Sequence, residues 1–211
     1  MHFNADWYTH QKHFIDPLIE SFKPKTLLEI GSFEGLSTVM LMQQMTKYND
    51  DIAIYSLDTW AGSEEHVNKG VDFQSTEELF ENNVQEFLNH HYSVSTNKIV
   101  LYKYKISSVE GMCTFISNNM TFDLIYIDGA HTAADVFIDA ALAFRLCNLG
   151  GVLIFDDYEW TGLDHDSPQK FNKYKTPKIA IDAFENCFGN KIVSLHANGG
   201  TYQKYYRKVN E

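Results

Sequence analysis

Four side chains that can exchange protons or hold a cation lie close together in the segment from residue 122 to residue 158. Asp128 directly follows the apolar run FDLIYI, and His131 comes three residues later. Asp156 and Asp157 directly follow a second apolar run, GGVLIF. Carboxylates at the end of a buried strand are uncommon unless they are paired, hydrogen-bonded or bound to something. The segment therefore predicts a functional site.

The chemistry of this group has more than one interpretation. Three carboxylates close together would repel one another strongly, and a hard cation with oxygen ligands, such as Mg²⁺, would relieve that repulsion. The alternative is that Asp156 and Asp157 simply cap their strand and accept hydrogen bonds from loop N–H groups. His131 is either a general base, with an unperturbed pKa near ~6.5, or a structural histidine bonded to Asp128.

A second candidate site is the glycine-containing loop EIGSFEG, residues 29–35. Gly31 permits a tight turn, Gly35 permits a close backbone approach, and the N-terminus of the next helix offers free N–H groups to an anion. Phe33 stands where a dinucleotide-binding loop would have its second glycine, which argues against a bound pyrophosphate. Asp58, at the end of the next strand, can accept both hydroxyls of a ribose. The alternatives are a turn without a ligand and a loop-capping aspartate.

The elements that must position these residues alternate between strand and helix. Apolar runs predict strands at 26–31, 52–57, 99–104, 122–127, 152–155, 192–195 and 201–206. Helical spacing predicts helices at 5–22 (with a break near Pro17), 32–45, 76–90, 108–118, 132–147 and 177–188. This order is typical of a doubly wound α/β fold with a mostly parallel seven-stranded sheet and an antiparallel C-terminal hairpin. Because no linker or repeat is visible, residues 1–211 are predicted to form one domain.

The composition excludes several classes of protein. The chain has 211 residues and a net charge of −11, from 17 basic and 28 acidic residues, which disfavours general nucleic-acid binding. No apolar run approaches the ~20 residues of a membrane span, and the N-terminus does not resemble a signal peptide. The three cysteines fit neither a disulfide framework nor a CxxC metal site. A cytoplasmic protein without membrane partners is expected.

The motifs EIGSFEG, LDTWAGSEEH, FDLIYIDGAH, GGVLIFDDYEW and PKIAIDAF, in this order and spacing, resemble the class I S-adenosylmethionine-dependent methyltransferases. The resemblance is to methyltransferase family 24, which is related to the metal-dependent catechol and macrolide-sugar O-methyltransferases, and it covers roughly residues 25–207. It implies a Rossmann-like fold, and the helical spacing before it predicts a short N-terminal helical segment, residues 1–23. It also implies that regions 59–97 and 159–176 act as lids.

The resemblance implies roles for individual residues. The implied cofactor-binding residues are Glu29, Gly31, Ser32, Phe33, Gly35, Ser37, Asp58, Thr59, Trp60, Ser107, Ser108 and Asp128. Asp128, Asp156 and Asp157 occupy the positions that hold Mg²⁺ in the metal-dependent relatives. The catechol-type enzymes have a lysine base three residues after the first of these acids, and His131 takes that position here. His131 and Asp128 are accordingly the predicted catalytic residues.

The predicted activity is S-adenosylmethionine-dependent O-methylation of a small hydroxylated molecule, a sugar or an aromatic compound, assisted by Mg²⁺. Lys170, Lys173, Lys175 and Lys178 form either a solvated face or an anion site for a nucleotide-linked or phosphorylated sugar. The alternatives are a metal-independent methyltransferase, an NAD-type oxidoreductase or epimerase, an RNA methyltransferase, and a non-catalytic protein that binds S-adenosylmethionine. Assembly into a homodimer is left open.

Overall fold

The computed structural model describes residues 1–4, 8–62, 73–161, 172–195 and 202–211. The chain divides into two compact units, Met1–Ser107 and Ser108–Glu211. Each unit has its own strands, helices and apolar core. The single-domain organisation stays a prediction.

The first unit contains three helices and three strands among its described residues. In chain order they are α1 (Tyr8–Phe22), β1 (Thr26–Ile30), α2 (Leu36–Met45), β2 (Asp51–Asp58), α3 (Phe73–Val94) and β3 (Lys98–Lys105). The strands are parallel, in the order β3-β2-β1. Parallel strands are usually covered on both faces and read as continuous apolar runs, and four of the five residues of β1 are buried accordingly.

The loop between β1 and α2 ends in a residue that must be glycine. Gly35 precedes α2 with φ +83°, and a Cβ atom there would lie 3.0 Å from the Phe80 ring of α3. Both the backbone conformation and the close approach therefore favour glycine.

The predicted break at Pro17 is wrong, because α1 continues through it and buries Ile15 and Ile19 on either side. A proline inside a helix removes one backbone hydrogen bond, and the buried apolar stripe compensates for that loss.

The second unit carries the mixed part of the fold. Its elements are α4 (Ser108–Ser117), β4 (Phe122–Ile127), α5 (Ala133–Leu146), β5 (Cys147–Phe155), a 3₁₀ turn (Lys173–Lys175), α6 (Lys178–Phe188), β6 (Ile192–Ser194) and β7 (Lys204–Lys208). β4 and β5 are parallel, whereas β7 runs antiparallel to both β5 and β6, in the order β4-β5-β7-β6. Rings from β5, α6 and β7 pack together in its core, with Phe155, Phe184 and Tyr206 within 6 Å of one another.

The predicted Rossmann-like α/β fold, with seven mostly parallel strands and an antiparallel C-terminal pair, is confirmed. Element ends differ most at β5, which begins at Cys147 and not at residue 152. Phe122 pairs with Cys147 and Leu124 with Val152, so the ladder contains an irregularity around Gly150, whose φ is +85°. Within the described ranges, no helix combines the length and apolar character needed to cross a membrane.

Candidate active site

Glu29, at the carboxyl end of β1, is completely buried beneath the glycine loop. Its Oε1 accepts a hydrogen bond from Ser37, at 2.7 Å, and its Oε2 accepts from Ser32, Thr38 and Ser56, at 2.7, 2.5 and 3.2 Å. Burial raises the pKa of the Glu29 carboxyl above its ordinary value, and the four hydroxyl hydrogen bonds oppose that rise. Glu29 therefore holds the loop in shape from inside, and the Ser37 hydroxyl is directed at Glu29.

Asp58, at the carboxyl end of β2, binds the backbone of the same loop. Its Oδ2 accepts from the N–H groups of Ser32 and Phe33, both at 2.9 Å, and its Oδ1 accepts from the N–H of Trp60 at 2.7 Å. A carboxylate offers about four lone pairs. Within the part of the chain that the structure describes, three of them are used, which leaves one on Oδ1 for a further donor.

Trp60 connects this loop to the rest of the first unit. Its side chain is only 4% exposed, and its indole N–H donates a hydrogen bond of 2.9 Å to the carbonyl of Phe33. The ring packs against Phe80, and the ammonium of Lys103 lies 4.6 Å from its centroid. Trp60 and Phe33 both have positive φ, 45° and 46°, which costs roughly 1–3 kcal/mol for each residue and is commonest at functional sites. Contact between Trp60 and a ligand stays a prediction, whereas its support of the loop is direct.

The other predicted cofactor residues lie at the ends of strands or the start of a helix. The N–H of Gly31 donates to the Leu57 carbonyl at 2.9 Å, and the Thr59 hydroxyl accepts from the N–H of Ala61 at 3.2 Å. Ser108 opens α4 and donates a hydrogen bond of 2.6 Å to Asp139, a buried carboxylate on α5. Burial raises the pKa of Asp139 to about 6, and the bond from Ser108 opposes that rise.

The second unit brings together three of the four charged residues predicted from the segment 122–158. One ligand atom from each of Asp128, His131 and Asp157 lies within 4.8 Å of the others. Nε2 of His131 is 2.9 Å from Oδ2 of Asp157 and 4.0 Å from Oδ1 of Asp128. Burial raises the pKa of Asp128 well above its ordinary value, and the charges of Asp156 and Asp157 raise it further. Proximity to His131 works in the opposite direction.

Asp156 has a different environment from its neighbour Asp157. Its Oδ2 accepts hydrogen bonds from the Tyr126 hydroxyl and, at 2.9 Å, from Nε2 of Gln203, and its Oδ1 accepts from the Asp157 N–H at 2.8 Å. Burial, and then the charge of Asp157, raise the pKa of Asp156 to about 6. Asp157 itself has φ +56°, and its side chain reaches His131, which also contacts the Trp160 ring at 4.5 Å.

The lysine-rich stretch falls partly within the described residues. Lys178 bonds to the Tyr158 hydroxyl and lies 3.9 Å from both Glu159 and Asp182, so its charge is largely balanced. Lys173 and Lys175 form the 3₁₀ turn. Lys170 lies outside the described residues, as do large parts of the two predicted lids.

Sequence reasoning missed several residues that shape these groups. The most consequential are Ser56 beside Glu29, and Tyr126 and Gln203 around Asp156. Ser56 pairs directly with Glu29 across the parallel ladder, so a predicted register would have revealed it. Tyr126 lies two residues before Asp128 on β4, and its side chain therefore points to the same side of the strand.

Comparison with known proteins places these features in a family. A family model described as a methyltransferase domain, family 24, matches residues 28–158. A protein of Acanthamoeba polyphaga mimivirus, named as uncharacterized, is 27% identical over 210 residues, which is 93% of this chain and 86% of that protein. The family match includes the loop after β1, Asp58, and the second-unit residues Asp128, His131, Asp156 and Asp157.

Solved structures with a similar fold include an O-methyltransferase from Bacillus cereus in complex with SAH (TM-score 0.62, 18% identity, 98% of this chain and 84% of that one). The O-methyltransferase TomG from Streptomyces achromogenes, in complex with SAM, gives a TM-score of 0.61 at 16% identity, with coverages of 96% and 80%. CalS11, a TDP-rhamnose 3′-O-methyltransferase of calicheamicin biosynthesis, gives a TM-score of 0.57 at 14% identity. The match covers 96% of this chain and 80% of that one. The chain belongs to methyltransferase family 24, within the class I S-adenosylmethionine-dependent methyltransferases.

Proposed function

We propose that this protein transfers the methyl group of S-adenosylmethionine to a hydroxyl of a small molecule, a sugar or an aromatic compound. The observation that carries the proposal is the group Asp128, His131 and Asp157, which combines carboxylates with a histidine in a chain of a methyltransferase family. Activation of a hydroxyl needs a group that accepts its proton. An acceptor that is already a strong nucleophile would not need such a group.

The first unit supplies the groups for the cofactor. The remaining lone pair of Asp58 suits a ribose hydroxyl, and the loop that Asp58 and Glu29 hold in place suits the methionine part. Two similar structures are complexes with SAH and SAM, which supports this choice of cofactor. Bound S-adenosylmethionine supplies a methyl group that is already activated by its sulfonium. The protein must therefore mainly align donor and acceptor, which can contribute ~7–11 kcal/mol.

The acids of the second unit fit a divalent cation. Asp128 and Asp157 present carboxylate oxygens close together, and the pKa of Asp128 is raised partly by the charges of Asp156 and Asp157, a repulsion that a cation would relieve. Asp156 keeps one lone pair, on Oδ1, beyond its three hydrogen bonds. These three residues would hold Mg²⁺, whose chemistry here is to lower the pKa of a bound hydroxyl.

His131 is the proposed general base. Its Nε2 lies 2.9 Å from Asp157, an arrangement in which a carboxylate orients an imidazole and stabilises its charged form. In the reaction an oxygen–methyl bond forms while the sulfur–methyl bond breaks, His131 takes the hydroxyl proton, and S-adenosylhomocysteine leaves. General-base catalysis of this kind contributes about 10²–10⁴-fold to the rate.

A metal-independent reaction is the second candidate, because a specific contact favours it. The pairing of His131 with Asp157 orients a base without any cation. Among acceptors, a nucleotide-linked sugar is the first to test, given the fold similarity to a TDP-rhamnose methyltransferase and the lysines near α6. Because the charge of Lys178 is already balanced, Lys173 is a better candidate than Lys178 for contact with a phosphate.

The test combines calorimetric titration of the protein with S-adenosylhomocysteine and a screen of acceptors with a methyl-labelled donor. Binding of S-adenosylhomocysteine with and without Mg²⁺, and label transfer to a hydroxylated acceptor, are expected. Exhaustive chelation should abolish turnover and leave cofactor binding nearly intact. Full turnover after chelation would support the metal-independent reaction, and the lack of any cofactor binding would refute the proposal as a whole.

A further inference from the structure

The residues behind Asp156 form a buried hydrogen-bonded network that no part of the proposed reaction uses directly. Tyr126 and Gln203 are completely buried, and Tyr205 is 3% exposed. The Tyr205 hydroxyl bonds to Oε1 of Gln203, and Nε2 of Gln203 bonds to the Tyr126 hydroxyl at 3.0 Å and to Asp156 at 2.9 Å. We infer that Tyr126 and Gln203 are positioning residues, which aim a single oxygen of Asp156 at a divalent cation.

The direction of every hydrogen bond in this network is determined by chemistry. An ionised carboxylate only accepts, so Gln203 must present its NH₂ group to Asp156, and its carbonyl must face Tyr205. Tyr126 has one proton, which it donates to Asp156, and its oxygen accepts from Gln203.

The consequence for Asp156 is a choice between its two oxygens. Both side-chain donors bond to Oδ2, which saturates that oxygen. Among the residues that the structure describes, Oδ1 accepts from the Asp157 N–H alone, and its other lone pair can serve as a ligand. Asp156 can therefore bind a cation through Oδ1, in one fixed orientation. A carboxylate without these partners could rotate and bind through either oxygen or both.

The network also ties together three strands of the second unit. Tyr126 lies on β4, Asp156 follows β5, and Tyr205 lies on β7. The chain that enters β7 is further anchored because the Tyr158 N–H donates a 2.6 Å hydrogen bond to the Tyr202 carbonyl. A ligand held from three strands is well ordered, and buried networks of this kind rigidify their members when every bond is made.

The inference rests on the proposed function, because it concerns the cation that function would use. The experiment therefore measures binding of Mn²⁺, by the loss of the free-ion electron paramagnetic resonance signal, with S-adenosylhomocysteine titrated separately by calorimetry. The variants are Tyr126→Phe, Gln203→Met and the milder Tyr205→Phe. The matched control is Tyr206→Phe, which deletes a buried hydroxyl from the same strand, where it bonds to Glu185 at 3.0 Å.

Loss of a partner that orients a metal ligand typically weakens metal binding 10–100-fold. We expect that loss of Mn²⁺ affinity for Gln203→Met and Tyr126→Phe, a smaller loss for Tyr205→Phe, and none for Tyr206→Phe. S-adenosylhomocysteine affinity should be unchanged in all four. Equal Mn²⁺ affinity in wild type and variants, or an equal loss in the control, would overturn the inference alone.

Two further results separate the inference from the proposed function. A wild-type protein that binds S-adenosylhomocysteine but no Mn²⁺ would overturn the inference and the metal-assisted reaction, while leaving the methyltransferase intact. A wild-type protein that binds neither would overturn the proposed function itself. If Tyr126→Phe does not fold, Tyr205→Phe decides the question, since it removes only the outermost hydrogen bond of the network.

Discussion

Replacement of Asp139 by asparagine should stabilise the protein at neutral pH and change how its stability depends on pH. Asp139 is buried on α5 and accepts a hydrogen bond from Ser108, the first residue of α4. Asparagine has nearly the same shape and keeps an oxygen that can accept from Ser108. It removes the negative charge, whose burial raises the pKa of Asp139 to about 6 from the ordinary 3.8.

The expected magnitude follows from that pKa. Below pH about 4 the carboxyl holds its proton in both the folded and the unfolded protein, so its burial has no electrostatic cost. Between about 4 and 6 only the folded protein keeps the proton, so the free energy of unfolding falls as the pH rises. At about 1.4 kcal/mol for each pH unit, the cost reaches about 3 kcal/mol above pH 6.

The assay is urea unfolding of wild type and Asp139→Asn at pH 4, 5, 6 and 7. The two proteins should have similar stability at pH 4, and the variant should gain up to about 3 kcal/mol by pH 7. Asp51→Asn, which neutralises an exposed carboxylate at the start of β2, is the matched control and should leave the slope unchanged. A variant that is less stable than wild type at pH 7, or a constant difference at every pH, would refute the reasoning.

Three other substitutions test the candidate site. Asp58→Asn should weaken S-adenosylhomocysteine binding about 10–100-fold in calorimetry, because bonds to a charged acceptor contribute roughly 1.5–3 kcal/mol; unchanged affinity would contradict its ribose role. Trp60→Phe deletes the donor to the Phe33 carbonyl and should weaken the same binding about fivefold, for roughly 1 kcal/mol. His131→Ala should lower turnover about 10²–10⁴-fold with cofactor affinity intact, and an equal rate would exclude it as the base.

The fold could be predicted because its apolar runs alternate between strand and helix spacing. The predicted strand at 122–127 coincides with β4, and strand and helix alternate through the chain as expected. The start of β5 was not predictable in the same way, because it depends on an irregular pairing with β4 and not on the apolar run alone. The continuity of α1 through Pro17 was also not predictable from local sequence, because tertiary burial of the helix overrides a local helix breaker.

The site could be predicted at the level of which residues take part, and less well at the level of what each one does. Asp128, His131 and Asp157 come together because they follow neighbouring parallel strands. Asp156 and Asp157 are consecutive, so their side chains leave the backbone in different directions, and a sequence does not tell which one meets Tyr126. Glu29 was predicted to shape the cofactor pocket; it accepts hydrogen bonds from four hydroxyls of its own unit, and its role toward a cofactor stays a prediction.

The fluorescence of Trp60 should depend on the conformation of the glycine loop. An indole that is shielded from water and bonded to a carbonyl emits at a shorter wavelength than one exposed to solvent. Because the partner of the Trp60 indole is Phe33, in the middle of the glycine loop, any change in that loop should alter the emission. With Trp7 and Trp160 replaced by phenylalanine, a simple fluorescence titration would report occupancy of the loop without a label, a substrate or any turnover.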